Sequence, residues 1–180
     1  MKSNSQSPLI DTLREGGVAI IRTDTIYGIV GRADSEATVQ RIYEIKGRTP
    51  TKSPIVLIGA PSDMFDTYDT STLEALSSYW PGPNSIILPS DDGPSWLTRG
   101  NHSIAYRLPA DEALRQLLRL TGPLIAPSAN PEGLEPARTI QEARHYFNNT
   151  IDIYEDGGTV TDPTPSSLYK LSNGQFTLLR

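Results

Sequence analysis

The sequence predicts an α/β protein: a single domain, residues 1–180, in which helices flank one mixed, twisted β-sheet. Two observations lead to this prediction. Apolar runs of strand length alternate with helical patterns along most of the chain, and the part from residue 151 onwards is rich in strands. No internal repeat, low-complexity stretch or linker divides the chain, and 180 residues is an ordinary length for one domain.

The first half of the chain contains three predicted helices. The first spans residues 8–14, because Pro8 suits a first helical position and two glycines follow the segment. Asp34 or Ser35 can cap the second helix, and Gly47 stands where a left-handed glycine ends one. A capping box at 71–74 predicts a third helix reaching about Tyr79. The predicted strands in this half are 18–21, 28–33, 54–58 and 85–88.

The second half ends in a β-hairpin. Asn173-Gly174 is the strongest short hairpin signal and joins predicted strands at 167–171 and 175–179. Leucines recur on one face of a predicted helix at 111–120. A second capping box at 139–142 predicts a helix reaching about Phe147. The other predicted strands are 103–108, 124–126 and 151–154.

Composition and missing motifs exclude several functions. The absence of cysteine excludes disulfides and cysteine–zinc sites, and the two histidines are too few to predict a His/Cys metal centre. The chain has no P-loop, no dinucleotide-binding fingerprint and no serine-hydrolase elbow. A net charge of −5 argues against a broadly basic nucleic-acid surface. Residues 1–7 are polar, and no apolar run is long enough to span a membrane, so we expect a cytoplasmic protein.

Polar side chains nevertheless follow several predicted strands, where α/β sheets bind ligands. Lys46 and Arg48 follow a helix and could hold an anion, although two cations at a helix end equally suit the helix dipole. Ser128 and Asn130 follow the strand 124–126 and could be simple turn formers. Arg107 lies in a half-buried strand, so it needs either a ligand or a salt bridge.

Five motifs in order resemble the YrdC-like threonylcarbamoyl-AMP synthases, of the short TsaC type. The motifs are Thr23-Asp24-Thr25-Ile26-Tyr27-Gly28, Lys46-Gly47-Arg48, Trp80-Pro81-Gly82-Pro83, Tyr106-Arg107-Leu108-Pro109 and Ala126-Pro127-Ser128-Ala129-Asn130. The resemblance spans roughly residues 10–180. It implies a twisted α/β sheet with a concave, positively charged cavity.

The resemblance also implies a reaction. L-threonine, bicarbonate and ATP would give threonylcarbamoyl-AMP and pyrophosphate, with Mg²⁺ entering on ATP and no dedicated protein metal site. The adenylate would pass to a tRNA threonylcarbamoyl transferase complex that modifies adenosine-37, and weak tRNA binding is possible within such a fold. Little acid–base chemistry is left to the protein, so positioning and charge stabilisation are its main tasks.

Matching positions imply the site residues. The residues implied for catalysis are Lys46, Arg48, Ser128 and Asn130. The residues implied for threonine binding are Thr25, Arg107, Ser128 and Ser166, with Ser167 as the alternative to Ser166. The residues implied for ATP binding are Arg48, Lys52, Ser103, Asn130, Arg138 and Arg180, with Ser53 as the alternative to Lys52. The chain departs from the family pattern at several places: among them, Arg22 replaces a proline, Glu132 replaces a serine, and the serine–threonine pair near Ser166 is altered.

Two other functions remain open at this stage. A non-catalytic RNA-binding module could use the same cationic cavity, and a related enzyme could adenylate a different carbamoyl substrate.

Overall fold

The computed structural model describes residues 7–180, which form one nine-stranded mixed sheet with helices on both faces. The strands are β1 (Ala19–Arg22), β2 (Tyr27–Arg32), β3 (Ile55–Leu57), β4 (Asn84–Pro89), β5 (Ser103–Arg107), β6 (Leu124–Ile125), β7 (Ile153–Tyr154), β8 (Ser167–Ser172) and β9 (Gln175–Leu178). The helices are α1 (Pro8–Arg14), α2 (Glu36–Lys46), α3 (Thr70–Leu76), α4 (Ser95–Thr98), α5 (Glu112–Thr121) and α6 (Ile140–Phe147). The predicted α/β class and mixed sheet are confirmed.

The strand order is β7-β1-β2-β6-β3-β5-β4-β8-β9. The pairs β1–β7, β3–β5 and β4–β8 are parallel, and the other neighbouring pairs are antiparallel. The chain therefore crosses the sheet repeatedly, and it brings β5 between β3 and β4 at the centre.

Alternating side chains divide the core between the two faces of the sheet. Ile20 belongs to the larger apolar cluster, which includes side chains of α2 and α6. Its neighbours Ala19 and Ile21 belong to a second cluster with Leu13 of α1 and Leu114 of α5. Helices α1 and α5 therefore cover one face at β1, β2, β3 and β6. The same face continues over β5, β4 and β8 as the floor of the cavities described below.

Local signals determine several element ends as predicted. The hydroxyl of Ser35 accepts a hydrogen bond from the Thr38 amide at 3.3 Å, and Gly47 ends α2 with a φ of 59°. Asn173 and Gly174 take φ angles of 51° and 72°, which matches the tight hairpin turn between β8 and β9.

Other local predictions were wrong. Asp69 caps α3 by accepting from the Thr72 amide at 2.7 Å, so the predicted box starting at Ser71 does not form, and the helix ends at Leu76 instead of near Tyr79. An aspartate two residues earlier supplied a better acceptor. The short helix α4 was not predicted. Within residues 7–180, no helix combines the length and apolar character needed to cross a bilayer.

Candidate active site

Strand β5 forms the floor of the candidate site. Ser103, Ala105 and Arg107 alternate onto the same face, so Ser103 and Arg107 lie about 13 Å apart along the strand. Ala105 pairs with Ile55 of β3 on one side and with Ile87 of β4 on the other, and Ile87 pairs in turn with Lys170 of β8. Four strands thus present a continuous floor with a different polar group at each end of β5.

A cavity of about 240 Å³ lies at the Arg107 end of this floor, and we call it the inner cavity. It brings together side chains from several separate segments of the chain. Its lining residues are Thr23, Thr25, Ile26, Tyr27, Gly28, Arg48, Ile55, Arg107, Ala126, Pro127, Ser128, Pro136, Pro165, Ser166 and Arg180. Three arginines therefore face a pocket that also contains several hydroxyl groups.

A wider cavity of about 510 Å³ lies at the Ser103 end, and we call it the outer cleft. It shares Arg48, Ile55 and Arg180 with the inner cavity, so the two spaces meet at a pair of arginines. Its lining residues are Arg48, Thr51, Lys52, Ser53, Ile55, Ile87, Asn101, Ser103, Ala105, Leu168, Lys170, Leu179 and Arg180. This lining contains four cationic side chains and no acidic side chain, which favours a polyanionic ligand.

Arg107 is almost fully buried, and its charge is balanced by Asp24. The Nη2 atom lies 3.2 Å from the Asp24 carboxylate, and the two side chains are only 5% and 6% exposed. Nη1 donates to the Thr25 hydroxyl at 3.4 Å, while Nε has no protein partner within residues 7–180. Burial lowers the pKa of Arg107, and the neighbouring Asp24 carboxylate acts in the opposite direction. The unpartnered N–H leaves hydrogen-bonding capacity for a second anion.

Lys46 holds the loop that carries Ser128 and Asn130. Its Nζ donates to the main-chain carbonyls of both residues, and the side chain is 4% exposed. Burial and the nearby Arg48 cation lower the pKa of Lys46 to about 7, against an opposing influence of Glu132. The ammonium group therefore supports the wall of the site from behind and lines neither the inner cavity nor the outer cleft.

Asn130 is also turned into this loop. Its Nδ2 donates to the carbonyls of Pro131 and Leu134 at 2.9 and 2.7 Å, and its Oδ1 is buried without a protein partner in the described chain. These bonds fix the turn after Ser128. The Oδ1 atom is a buried acceptor that these bonds leave unused.

Glu132 links this loop to the segment after α2. Its carboxylate accepts from the amide and hydroxyl of Thr49 and forms an ion pair with Lys52. The Glu132 amide donates to the Lys46 carbonyl at 2.9 Å. Hydrogen bonds from Lys52 and Thr49 lower the pKa of Glu132 to about 2, so the carboxylate is ionised at neutral pH. One of the four cations of the outer cleft thus carries its own counter-ion.

The Ser166 segment closes the opposite side. The hydroxyls of Ser166 and Ser85 lie 2.8 Å apart, and both side chains are buried. Arg180 Nη2 donates to the Ser166 carbonyl at 3.2 Å, and the Arg180 carbonyl accepts from the Leu168 amide at 3.0 Å. These bonds fix Arg180 at the junction of the inner cavity and the outer cleft.

A third space, a groove of about 890 Å³ between α1 and α5, is larger but less suited to polar chemistry. Its walls are mainly apolar, with Leu9, Leu114 and Leu117 among them, and it contains one arginine beside three carboxylates. An anionic ligand would find no net attraction there. The inner cavity and the outer cleft are the stronger candidate for the active site.

Comparison with known proteins agrees with this fold. A family model for Sua5, YciO and YrdC proteins, with the description "Telomere recombination", matches residues 11–180. The chain belongs to the Sua5/YciO/YrdC family.

Individual relatives extend this result. Proteins named threonylcarbamoyl-AMP synthase from Pseudomonas paraeruginosa and Pseudomonas fluorescens are 33% and 30% identical to this chain, each over 91% of it and 90% of the relative. The crystal structure of P. abyssi Sua5 complexed with L-threonine is 29% identical, with a TM-score of 0.86 over 96% of this chain and 52% of that one. The chain therefore spans about half the length of that Sua5 protein.

The Sua5/YciO/YrdC fold brings together most of the residues that the motifs predicted. Thr25, Arg107, Ser128 and Ser166 line the inner cavity, while Arg48 and Arg180 line both spaces. Lys52, its alternative Ser53, and Ser103 line the outer cleft. Their assignment to threonine and ATP stays a prediction.

Three predicted residues line neither space. Lys46 and Asn130 lie behind the wall, as described above. Arg138 is exposed, its amide donates to the Glu142 carboxylate at 2.7 Å, and its carbonyl accepts from the Val160 amide. The alternative Ser167 begins β8 and lines a neighbouring space of about 360 Å³, next to Thr25 and Pro165.

The sequence reasoning missed several neighbours of these residues. The motif that contains Asp24 did not reveal its ion pair with Arg107. Glu132 was noted only as a departure from the family pattern, and its ion pair with Lys52 was not predicted. Lys170 lies in β8 and pairs with Ile87 of β4, so its side chain is on the same face of the sheet as that of Ile87. This position could have been inferred once the β4–β8 pairing was known. No local signal indicates that pairing.

Proposed function

We propose that the protein is an L-threonylcarbamoyladenylate synthase, which condenses L-threonine, bicarbonate-derived CO₂ and ATP to threonylcarbamoyl-AMP and pyrophosphate. One observation carries the proposal: a small cavity with a buried arginine and hydroxyl groups opens, between Arg48 and Arg180, into a cleft lined by cations. The names of its relatives support the same reaction.

The inner cavity suits the amino acid. The buried guanidinium of Arg107 can bind the threonine α-carboxylate through its free N–H, while Asp24 keeps the group oriented. Hydroxyls of Thr25, Ser128 and Ser166 stand on the cavity wall to bind the threonine side chain. The crystal structure of P. abyssi Sua5 is of a complex with L-threonine, and this supports the assignment.

The reaction then needs a nucleophile beside the α-phosphate. The threonine nitrogen attacks CO₂ and loses a proton, which gives a carbamate anion. A carbamate oxygen attacks the α-phosphorus of ATP, the bond to the β-phosphate oxygen breaks, and pyrophosphate leaves with the electron pair. Arg48 and Arg180 stand at the junction where this phosphate would lie, so they can stabilise the charge that builds on its oxygens.

The pyrophosphate end and its metal would occupy the outer cleft. Within residues 7–180, no group of three or more His, Cys, Asp or Glu side chains could hold a metal ion. We propose that Mg²⁺ arrives on ATP and is ligated by phosphate oxygens and water, the arrangement that this ion prefers. Lys52 and Lys170 would then face the released pyrophosphate.

Threonylcarbamoyl-AMP is a mixed anhydride, so a group-transfer enzyme must consume it. We propose that a tRNA threonylcarbamoyl transferase complex receives it for modification of adenosine-37, and that both steps take place in the cytoplasm, where ATP and tRNA meet. Direct tRNA binding by this chain would be weak, because its net charge is −5.

Pyrophosphate release tests the proposal. Purified protein with threonine, bicarbonate and Mg-ATP should release pyrophosphate only when all three are present. Arg107→Met should lose most of this activity, and Arg119→Met, which removes a half-exposed arginine on α5, should retain it. No threonine-dependent release from the wild type would refute the proposal.

The same experiment separates the two alternatives. Release that depends on free carbamate or carbamoyl phosphate, and not on threonine, would indicate a different carbamoyl substrate. Salt-sensitive tRNA binding without any ATP binding would indicate an RNA-binding module.

A further inference from the structure

Two arginine side chains, those of Arg48 and Arg99, lie over the ring of Tyr43 in α2. The guanidinium carbon of Arg99 lies 3.9 Å from the ring centroid, and that of Arg48 lies 5.5 Å from it. Both distances are within the range of cation–π contacts. Arg48 belongs to the wall of the outer cleft, whereas Arg99 comes from the end of α4, a different part of the chain.

Neither arginine has an acidic partner in the described chain. No carboxylate of residues 7–180 lies within 4.0 Å of the guanidinium of Arg48 or Arg99. The Nε and Nη2 atoms of Arg99 and the Nε of Arg48 are buried and make no hydrogen bond there. Two cations that share one aromatic ring without a counter-ion repel each other, so the arrangement favours a third, anionic component.

The backbone at Arg99 is also unusual. Its φ angle is 51°, and Gly100 follows with a φ of 78°. A non-glycine residue in this left-handed region is strained, and such residues concentrate at functional sites. The turn directs the chain from α4 back to β5, whose first residue is Ser103 of the outer cleft.

Hydrogen bonds connect the Arg99 turn to the cleft wall. The Ser53 hydroxyl donates to the Thr98 carbonyl at 3.0 Å, and Asn101 Nδ2 donates to the Thr51 carbonyl and the Ser53 hydroxyl, both at 2.9 Å. The Tyr43 hydroxyl donates to the Lys52 carbonyl. Arg99 therefore lies directly behind the residues that line the outer cleft.

We propose that Arg99 is a positioning residue for the polyphosphate: with Arg48, on the shared Tyr43 ring, it supplies the positive charge that holds the β- and γ-phosphates of ATP, later pyrophosphate, in the outer cleft. The identity of the ligand rests on the proposed function. The presence of an anion site there rests only on the charges and contacts described above.

Binding of inorganic pyrophosphate, measured by titration calorimetry without threonine or ATP, tests the proposal. For a unit charge one layer of side chains away from a unit anion, a separation on the order of 10 Å, an effective dielectric constant of about 20 gives a change in affinity of about tenfold. Arg99→Met keeps an apolar chain over Tyr43 and removes the charge, so it should weaken pyrophosphate binding about tenfold. Arg99→Lys keeps the charge and should remain within about threefold of the wild type.

Arg144→Met is the matched control, because Arg144 stacks on Tyr154 at 4.4 Å in a different part of the molecule. It should bind pyrophosphate as the wild type does. Threonine binding should be unchanged in all three variants. Pyrophosphate affinity that is unchanged in Arg99→Met, or equally reduced in Arg99→Met and Arg99→Lys, would overturn the proposal.

Two further outcomes keep the conclusions separate. If Arg99→Met does not fold, the salt dependence of the wild type provides the test. Raising the salt concentration from 50 to 500 mM shortens the Debye length roughly threefold, and a pyrophosphate affinity that does not decrease over this range would refute a charge-based site. If the wild type binds pyrophosphate through Arg99 but releases none from Mg-ATP, threonine and bicarbonate, the proposed function fails and the anion site stands.

Discussion

Asp24→Asn should lower the stability of the protein and, at the same time, increase the stabilisation that threonine confers. In the structure the Asp24 carboxylate is the only acidic partner of buried Arg107 among residues 7–180. Asparagine keeps the shape of the side chain and an acceptor for the Ala110 amide, which now lies 3.2 Å from the carboxylate. The guanidinium charge is left without compensation until a substrate carboxylate binds.

The size of the effect follows from burial. Removing one partner of a buried ion pair costs about 3–5 kcal/mol, and the exposures of 5% and 6% place this pair in that class. For a protein of this length, about 3 kcal/mol corresponds to a decrease in Tm of roughly 6–12 °C. Saturating threonine should return part of this loss, because its α-carboxylate replaces the missing charge.

Thermal unfolding with and without threonine measures both effects. Asp34→Asn is the matched control, since Asp34 pairs with Arg32 at the surface, where such a pair contributes at most about 1 kcal/mol. The double variant Asp24→Asn with Arg107→Met should be more stable than Asp24→Asn alone, because no buried charge is then unpaired. A wild-type Tm for Asp24→Asn, or a threonine shift smaller than that of the wild type, would refute the reasoning.

Three further predictions concern the walls and the specificity of the site. Lys46→Met should reduce kcat for pyrophosphate release at least tenfold, because the loop carrying Ser128 loses its two hydrogen bonds. The wild type should become more stable as the pH rises from 7 towards about 10.5, because in this range the unfolded chain binds the Lys46 proton and the folded protein does not. Urea unfolding should show this increase in the free energy of unfolding for the wild type and not for Lys46→Met. Glu132→Gln should tighten pyrophosphate binding about threefold by calorimetry, since Lys52 loses its counter-ion; weaker binding would contradict this. Serine, which lacks one methyl group, should have a kcat/KM about 10–200-fold below that of threonine in the same assay, and equal values would show that the inner cavity does not contact the methyl group.

Elements with strong local signals could be predicted from the sequence. The helix between Ser35 and Gly47 depends on a cap and a left-handed glycine, which are both local. The β8–β9 hairpin was predictable from Asn173-Gly174, which is also a local signal. The end of α3 could not be predicted in this way, because Asp69 and Ser71 competed as caps and only the folded chain shows which one accepts the amide.

Site residues that belong to sequence motifs could be predicted. Contacts between residues far apart in the sequence could not. Thr25, Arg107 and Ser128 were predicted as threonine ligands from motifs, and the structure brings them to one cavity. Lys46 was predicted as catalytic, but its Nζ bonds carbonyls 82 and 84 positions away, a distance in sequence that no local pattern reveals. The contact of Arg99 with Tyr43 depends on tertiary packing in the same way.

A crystal structure with a non-hydrolysable analogue of threonylcarbamoyl-AMP bound tests the central claim most directly. We predict the threonine carboxylate on Arg107 in the inner cavity and the phosphate between Arg48 and Arg180, with the nucleotide over Ser103. Ligand density in the apolar groove between α1 and α5, or an amino-acid end directed away from Arg107, would contradict this claim.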